Sequence, residues 1–333
     1  MNDFIREVNE VFADYKVRAV CSAYNQINHF NVYELDLQPG CRIRAVENIG
    51  GELKLRLKYK ANPVFFINDG KMRMIFANEP EKIYLDDLIE KKGAFGPDEI
   101  IFGIDYRGNL MTERFTKFPH ALICGTTGSG KSVFLHNIIA NFTKKNRSID
   151  FYLFDPKYVE FEQYKKHQFD NNVFISVFNT YADTTYQLEQ IAKIMEKRFR
   201  ILSAADVRNI EQYNAKSKDK MRYIIVIIDE FADYINSDKK RGEFETLVCS
   251  IAAKSRASGI HLFLASQRSS VEIISGLIKI NFQARVCFRM ATGVDSRVVI
   301  DMNGAENLLN GGDGIFSCNG QITRFQAAYC LTE

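Results

Sequence analysis

The stretch GTTGSGKS, residues 125–132, constrains this chain more than any other feature of its sequence. It fits the pattern G-x-x-x-x-G-K-[ST], whose glycines let backbone N–H groups approach phosphate oxygens. The apolar run ALIC at 121–124 precedes it, and the helical pattern SVFLHNIIANF follows it. A strand, a glycine-rich loop and a helix N-terminus in this order predict a phosphate-binding loop. The alternative is a glycine-rich turn with a surface lysine.

The residue types in this loop indicate that it binds the phosphates of a nucleotide together with Mg²⁺. Lys131 is expected to reach the β- and γ-phosphates, and the Ser132 hydroxyl to ligate Mg²⁺. The residues expected to hold the nucleotide are Gly125, Thr126, Thr127, Gly128, Ser129, Gly130, Lys131 and Ser132.

Polar residues follow two later apolar runs. Asp229 and Glu230 come directly after YIIVII at 223–228. We expect Asp229 to hold Mg²⁺ and Glu230 to activate the attacking water, although an acidic strand cap is the alternative. Gln267 follows IHLFLA at 260–265 and is a candidate sensor of the γ-phosphate, unless it is an ordinary turn at a strand end.

The pattern of the chain changes near residue 98, and we predict domains at 1–98 and 99–333. The turn-rich stretch Lys92–Pro97 marks the joint. Beyond it, apolar runs alternate with helical stretches such as 183–202, which predicts an α/β fold with a mostly parallel sheet covered on both faces.

The first domain is predicted to be a small α+β domain. Phe4, Val8, Val11, Phe12 and Tyr15 recur at helical spacing. Alternating apolar residues predict a strand at Glu52–Lys60, and Val64–Ile67 and Met72–Ala77 also read as strands.

The composition argues against a disulfide-rich, zinc-binding or membrane-spanning protein. Seven scattered cysteines without a C-x-x-C pair argue against disulfides and zinc, and favour a reducing cytosol. The longest strongly apolar run, Tyr223–Ile228, is far below the ~20 residues that span a bilayer, so we expect a cytoplasmic protein. The net charge is only +3, yet residues 251–300 hold seven basic side chains and two acidic ones. On charge alone, the favoured interpretation of this segment is an ordinary solvated surface.

Many ordered motifs together resemble the FtsK/SpoIIIE DNA translocase motor. The resemblance covers essentially all of 116–331, and a weaker one covers about 30–115 through LDLQPGCRI and FGIDYRGN. The motifs that carry it are PHALICGTTGSGKS, FDPKYVEF, MEKRF, VRNIEQYN, IIDEFADYI, KSRASGIHLFLASQRSSVEIISGLIKIN, DSRVVID and GAENLLNGGDGIF.

The resemblance implies a RecA-like P-loop NTPase motor that forms a hexameric ring around double-stranded DNA and pumps it with ATP, so the expected nucleotide is ATP. By the same resemblance, Arg256 completes the site of a neighbouring subunit, and Arg268, Lys279 and Arg297 line the DNA channel. Gly293 stands where the family often has a further lysine, and Arg289 is a possible substitute. The alternatives are a surface arginine at Arg256 and, for the three cations, surface pairs with Glu272 and Asp295.

The sequence departs from the family in two respects. Many members carry transmembrane helices before the motor and a DNA-orienting winged-helix module after it, and from this sequence we expect neither. We therefore expect no reading of DNA polarity sequences. A compact motor of this kind is similar to those of plasmids and other mobile elements, with a relaxase, recombinase or membrane protein as a possible partner. The alternatives are a type VII-like protein-export ATPase and a DNA-binding accessory subunit with weak turnover.

Overall fold

A computed structural model describes residues 3–68, 70–94, 96, 98–144, 148–165, 173–238 and 242–330. Of the predicted joint, Phe95 and Pro97 lie outside the described residues. The strands are β1 (Ala19–Ile27), β2 (Phe30–Leu37), β3 (Val64–Asn68), β4 (Lys71–Ala77), β5 (Glu99–Asp105), β6 (Leu110–Arg114), β7 (His120–Cys124), β8 (Ile149–Phe154), β9 (Val173–Phe178), β10 (Tyr223–Ile228), β11 (Ile260–Ser266), β12 (Ala284–Phe288), β13 (Asp313–Cys318) and β14 (Gln321–Ala327).

The helices alternate with these strands through most of the chain. They are α1 (Asp3–Asp14), α2 (Ile43–Glu47), α3 (Gly50–Leu57), α4 (Leu85–Lys92), α5 (Lys131–Thr143), α6 (Tyr181–Ala204), α7 (Ile210–Lys216), α8 (Phe231–Ser237), α9 (Glu243–Lys254), α10 (Gly276–Asn281) and α11 (Gly293–Ile300). Short 3₁₀ helices span Glu162–Lys165, Ser255–Ser258 and Ala305–Asn307. Among the described residues, no helix combines the length and apolar character needed to cross a bilayer.

The larger sheet has the strand order β6-β5-β14-β13-β12-β7-β11-β10-β8-β9. From β12 to β9 all neighbours run parallel, which confirms the predicted α/β fold with a mostly parallel sheet. At the other end the pairs are antiparallel. Asn319 and Gly320, both at positive φ, form the two-residue hairpin that joins β13 to β14.

Both faces of the parallel strands are covered, as β10 illustrates. All six of its residues are buried. Ile224, Val226 and Ile228 pack into one hydrophobic core with α6, α8 and α9, whereas Ile225 and Ile227 pack into a second core with α5. Because successive strand residues point to opposite faces, continuous apolar runs are what such a sheet requires.

The smaller sheet is antiparallel, with the order β1-β2-β4-β3. The predicted helix near the N-terminus is confirmed as α1, and the predicted strands at Val64–Ile67 and Met72–Ala77 are confirmed as β3 and β4. One face of this sheet packs on α1 and α3 through residues such as Val8, Tyr33 and Met74.

The predicted strand at Glu52–Lys60 is wrong, because these residues lie largely in α3. Leu53 and Leu57 are buried one helical turn apart, whereas Leu55 between them is 76% exposed. The leucine spacing fits both periods over so short a stretch. Lys58 ends the helix in the left-handed region at φ 60°.

The other face of the small sheet packs into the hydrophobic core of the larger sheet. Phe30 and Ile75 pack in the same cluster as Ile315. Arg324 of β14 is fully buried, pairs with Asp313 through two bonds of 2.6 and 2.9 Å, and donates to the Ile75 carbonyl at 2.7 Å. The division at residue 98 stays a prediction.

Helix α5 is fixed to the sheet by buried side-chain amides. Asn141 receives a hydrogen bond from the Ile101 N–H at 2.9 Å and donates to the Ile101 carbonyl at 3.2 Å. At Gly103 a Cβ would lie 1.9 Å from the Gln326 carbonyl oxygen, so only glycine fits where β5 meets β14. The bonds of Asn141 hold the last turn of α5 against β5, and the close approach at Gly103 holds β5 against β14.

Candidate nucleotide site and basic surface

The predicted phosphate loop connects the end of β7 to the first turn of α5. Gly128 and Gly130 have φ of 77° and 112°, a region that favours glycine. A Cβ on Gly130 would lie 2.6 Å from the Gly312 backbone nitrogen. The Gly312 N–H donates to the Ser129 carbonyl at 2.8 Å, so the loop before β13 supports the phosphate loop from one side.

A cavity of about 360 Å³ opens over this loop. Its walls include Thr126–Gly128, Gly130–Ser132 and Gln267, which belong to the residues that the sequence assigned to the nucleotide. They also include residues that the sequence did not predict, from the segments before α4, after β8 and before β13, from α5 and from the end of the chain. These are Pro80, Glu81, Lys82, Val133, Glu160, Asn310–Gly312 and Gln326–Tyr329.

Lys131 and Asp229 form a buried ion pair beneath the cavity. Each is 3% exposed. Burial raises the pKa of Asp229 above its ordinary value, and the Lys131 ammonium opposes this rise. The structure thus brings together the lysine of the phosphate loop and the carboxylate that ends β10.

Glu230 lies directly behind this pair and is 1% exposed. Its backbone has φ 43°, an uncommon value for a residue with a side chain. Its Oε1 accepts hydrogen bonds from the Ser266 hydroxyl at 3.0 Å and from the Gln267 N–H at 3.2 Å. The carboxylate is therefore tied to the end of β11.

Gln267 is also connected to the phosphate loop. The Thr127 hydroxyl donates to Gln267 Oε1 at 3.0 Å, and both residues line the cavity. This places the amide beside the phosphate loop, and its role as a sensor of the γ-phosphate stays a prediction.

Two further side chains reach the site from the segment after β8, and sequence reasoning assigned them no role. Lys157 Nζ lies 3.2 Å from Glu230 Oε2 and 3.6 Å from Asp233 Oδ2. Glu160 Oε1 accepts a hydrogen bond from the Ser132 hydroxyl at 2.7 Å. Both residues belong to the motif FDPKYVEF, but the spacing of residues in this motif does not by itself predict a catalytic or binding role.

The carboxylate of Glu160 is also close to a histidine. Its Oε2 lies 3.4 Å from His136 Nε2. The His136 contact and the Ser132 hydroxyl lower the pKa of Glu160 below its ordinary value, although burial opposes this. An oxygen-rich cluster of Ser132, Glu160 and Asp229 thus lies along one side of the phosphate loop.

Arg256 lies at the opposite edge of the sheet. It belongs to the 3₁₀ helix before β11, is exposed, and lines a shallow depression with Lys117 and Asn319. The seven residues of β11, at about 3.3 Å each, separate it from Gln267 by roughly 20 Å. The structure does not bring Arg256 to the phosphate loop of its own chain.

The three predicted DNA-contacting cations lie around α11, and we call Arg268, Lys279 and Arg297 the basic surface. Ser269, next to the exposed Arg268, donates to Asp295 Oδ1 in the first turn of α11 at 3.0 Å. Lys279 pairs at 2.7 Å with Asp301, which ends that helix, and Arg297 is exposed on it.

The alternative prediction was that these cations form surface pairs with Glu272 and Asp295. The structure does not show such pairs for Asp295 and Lys279. Asp295 caps α11 through Thr292, and the partner of Lys279 is Asp301. Burial raises the pKa of Asp301, but hydrogen bonds from Lys279 and Arg285 lower it more, so the net shift is downward.

The Arg289 carbonyl accepts from the Thr126 N–H at 2.9 Å, which puts Arg289 beside the phosphate loop.

Relatives of this chain carry the name DNA translocase FtsK. The protein from Vibrio vulnificus is 32% identical over 346 residues, which cover 93% of this chain and 35% of that protein. The protein from Campylobacter jejuni is 36% identical over 263 residues, which cover 76% of this chain and 27% of that protein. The chain therefore spans about a third of the length of these curated relatives.

Solved structures share the fold. The conjugation coupling protein TcpA of pCW3, in a monomer form with ATPγS, has a TM-score of 0.70 at 23% identity and covers 98% of this chain and 95% of its own. The type VII secretion ATPase EccC of Thermomonospora curvata has a TM-score of 0.62 at 21% identity and covers 75% of this chain and 32% of its own. At these identities the likeness concerns the fold alone.

A sequence profile of the FtsK/SpoIIIE family matches residues 94–271, which is more than half of the chain. The match includes the phosphate loop, the Asp229–Glu230 pair and Gln267. Together with the relatives above 30% identity, it confirms the family inferred from the motifs. The chain belongs to the FtsK/SpoIIIE family, a family of P-loop ATPases.

Proposed function

We propose that this chain hydrolyses ATP and uses the energy to move along double-stranded DNA. The observation that carries the proposal is the buried Lys131–Asp229 pair beneath the phosphate loop, with Glu230 held directly behind it. A loop lysine, a strand-end carboxylate and an adjacent glutamate are the parts that ATP hydrolysis by this class of enzyme requires.

The residues beside the phosphate loop are suited to Mg²⁺. Ser132, Glu160 and Asp229 offer only oxygen donors, which hard divalent cations prefer. We assign Ser132 and Asp229 as the residues that would hold the ion. When bound with ATP, Mg²⁺ supplies positive charge that neutralises the phosphate oxygens. Since Asp229 pairs with Lys131 here, Lys131 would turn from the carboxylate to the phosphates when the nucleotide enters.

The proposed hydrolysis is an in-line attack by water. The water oxygen bonds to the γ-phosphorus, and the bond from that phosphorus to the bridging oxygen of ADP breaks. The proton of the water passes to Glu230, while Gln267 contacts the γ-phosphate from the end of β11. ADP and inorganic phosphate leave, and the proton returns to solvent.

Arg256 would act on a neighbouring subunit, because its own phosphate loop is out of reach. In the proposed ring, which we expect to be hexameric, it approaches the γ-phosphate bound by the next chain. A guanidinium there stabilises charge that develops in the transition state. The basic surface would contact DNA phosphates, which gives binding without base readout.

For the process served, we propose transfer or partition of plasmid or other mobile-element DNA in the cytoplasm. The support is the likeness in fold, over nearly the whole chain, to a protein described as a conjugation coupling protein. A relaxase, a recombinase or a membrane protein would then be the partner that brings the DNA.

The rate of ATP hydrolysis with linear duplex DNA, with single-stranded DNA and without DNA tests this function. We expect duplex DNA to stimulate hydrolysis most. Hydrolysis that no DNA stimulates would contradict the proposal and favour a protein-export ATPase. Tight DNA binding with negligible turnover would instead favour an accessory subunit.

A further inference from the structure

Glu230, the proposed general base, is held by contacts at both of its carboxylate oxygens, and the contact at the second oxygen comes from a lysine. Glu230 Oε1 has two donors, the Ser266 hydroxyl and the Gln267 N–H. Glu230 Oε2 accepts from Lys157 Nζ at 3.2 Å. A carboxylate has about four lone-pair sites. Among the described contacts, the remaining acceptor site is therefore on Oε2, the oxygen that Lys157 contacts.

We infer that Lys157 is a positioning residue for Glu230, which fixes the direction in which the remaining lone pair of Oε2 meets the attacking water. The inference rests on the proposed role of Glu230 as the base. Lys157 keeps its proton throughout and forms no bond to the substrate.

The segment that carries Lys157 is fixed by hydrogen bonds to a side chain at the end of β8. Asp155, at the end of β8, is fully buried. Its Oδ1 accepts from the Lys157 N–H at 3.1 Å, and its Oδ2 accepts the N–H groups of Val159, Glu160 and Phe161 at 2.9 to 3.1 Å. The backbone of Lys157 is thus set by the sheet, and its side chain is extended toward Glu230.

The contact differs from an ordinary surface ion pair in the burial of its acidic member. The side chain of Lys157 is 45% exposed, but that of Glu230 is only 2% exposed. Exposed pairs contribute little, whereas a buried carboxylate that loses its partner is left uncompensated. Burial lowers the pKa of Lys157, but Glu230, Asp233 and Asp229 raise it more, so the net shift is upward and the side chain stays charged.

The test compares Lys157→Met, Lys157→Gln and Lys157→Arg in the full chain with saturating duplex DNA. Lys157→Met should lower kcat for ATP hydrolysis about 10- to 100-fold, with KM for ATP and affinity for ATPγS within about threefold of wild type, because general-base catalysis contributes about 10²–10⁴-fold in all. Lys157→Arg should recover most of the rate, since it restores the charge and the donor.

A matched control is available on the same connection. Lys165 also lies between β8 and β9, pairs with Glu162 at 2.7 Å and bonds to Asn179. Lys165→Met removes a lysine of similar exposure whose acidic partner is also exposed and does not touch Glu230, and should leave kcat unchanged. If Lys157→Met does not fold, Lys157→Gln gives the same comparison with a smaller change of polarity.

A double mutant separates positioning from general damage to the fold. In a Glu230→Gln background, single-turnover hydrolysis should fall no further when Lys157→Met is added, because residues that act as a unit are not additive. The same fractional loss in both backgrounds, or a kcat of Lys157→Met within twofold of wild type, would overturn the inference. If Glu230→Gln alone hydrolyses ATP at the wild-type rate, the proposed base itself is wrong.

Discussion

The two edges of the parallel strands carry different kinds of candidate residue. At the carboxyl edge, Lys131, Asp229 and Glu230 are buried and in contact with partners from the same chain. At the amino edge, Arg256 is exposed and roughly 20 Å from the phosphate loop. The first edge brings its candidate residues together within one chain, whereas Arg256 would need a second molecule to take part in catalysis.

The cations at the carboxyl edge also differ from those of the basic surface in what they contact. The cations of the carboxyl edge neutralise buried carboxylates, so their loss affects chemistry and stability together. In the basic surface around α11, Arg268 and Arg297 are exposed and Lys279 shares the carboxylate of Asp301 with Arg285. Their loss should affect what the protein binds and leave its fold intact.

Substitution of Lys131 should have the largest effect. Lys131→Ala is expected to abolish hydrolysis, because the cation that faces the phosphates is lost. It also leaves Asp229 buried without its partner, which costs about 3–5 kcal/mol of unfolding free energy. Denaturant unfolding checks the second point, and adding Asp229→Asn should restore stability but not hydrolysis. Wild-type hydrolysis by Lys131→Ala protein would show that the residues at the carboxyl edge do not form the catalytic site.

Arg256→Ala should lower DNA-stimulated hydrolysis by about 10³-fold or more, by analogy with arginines that act in trans in GTPases. Mixing Arg256→Ala subunits with Glu230→Gln subunits should restore part of the activity, because some interfaces then pair two intact halves. Pure Arg256→Ala protein with near wild-type activity would show that the amino edge takes no part in catalysis.

Glu230→Gln should slow hydrolysis by about 10²–10⁴-fold, since the base that activates the water is lost. The amide keeps an acceptor for Ser266 and Gln267, so the affinity for ATP should stay close to that of wild type. Equilibrium binding of a fluorescent ATP analogue measures this. A large loss of nucleotide affinity would assign Glu230 to binding instead of catalysis.

Neutralising the basic surface should have the smallest effect on the enzyme. Replacement of Arg268, Lys279 and Arg297 by glutamine should weaken duplex binding for all sequences and flatten the slope of log affinity against log salt by about 0.9 per lost phosphate contact. Hydrolysis without DNA should persist. A matched control replaces the exposed lysines Lys193, Lys197 and Lys216 of α6 and α7. Equal salt slopes in both triple variants would place the DNA elsewhere.

The candidate residues at the carboxyl edge could be predicted from sequence because each group of them directly follows an apolar strand. A buried strand delivers the residue that follows it to one edge of a parallel sheet, so Gly125, Asp229 and Gln267 had to meet. The leucines at 53–57 show the limit, since alternation over five residues fits a strand and a helix alike. Lys157 could not be assigned, because its partner Glu230 is 73 residues away and no spacing rule connects the two.

Displacement of a triplex-forming oligonucleotide from linear duplex DNA tests the central claim most directly. A motor that moves along duplex DNA strips the third strand from its path and needs ATP to do so. We predict displacement by the wild-type chain with ATP, and none by Lys131→Ala or by wild type with ATPγS. ATP hydrolysis stimulated by duplex DNA that leaves the triplex in place would contradict translocation, even if the ATPase assignment held.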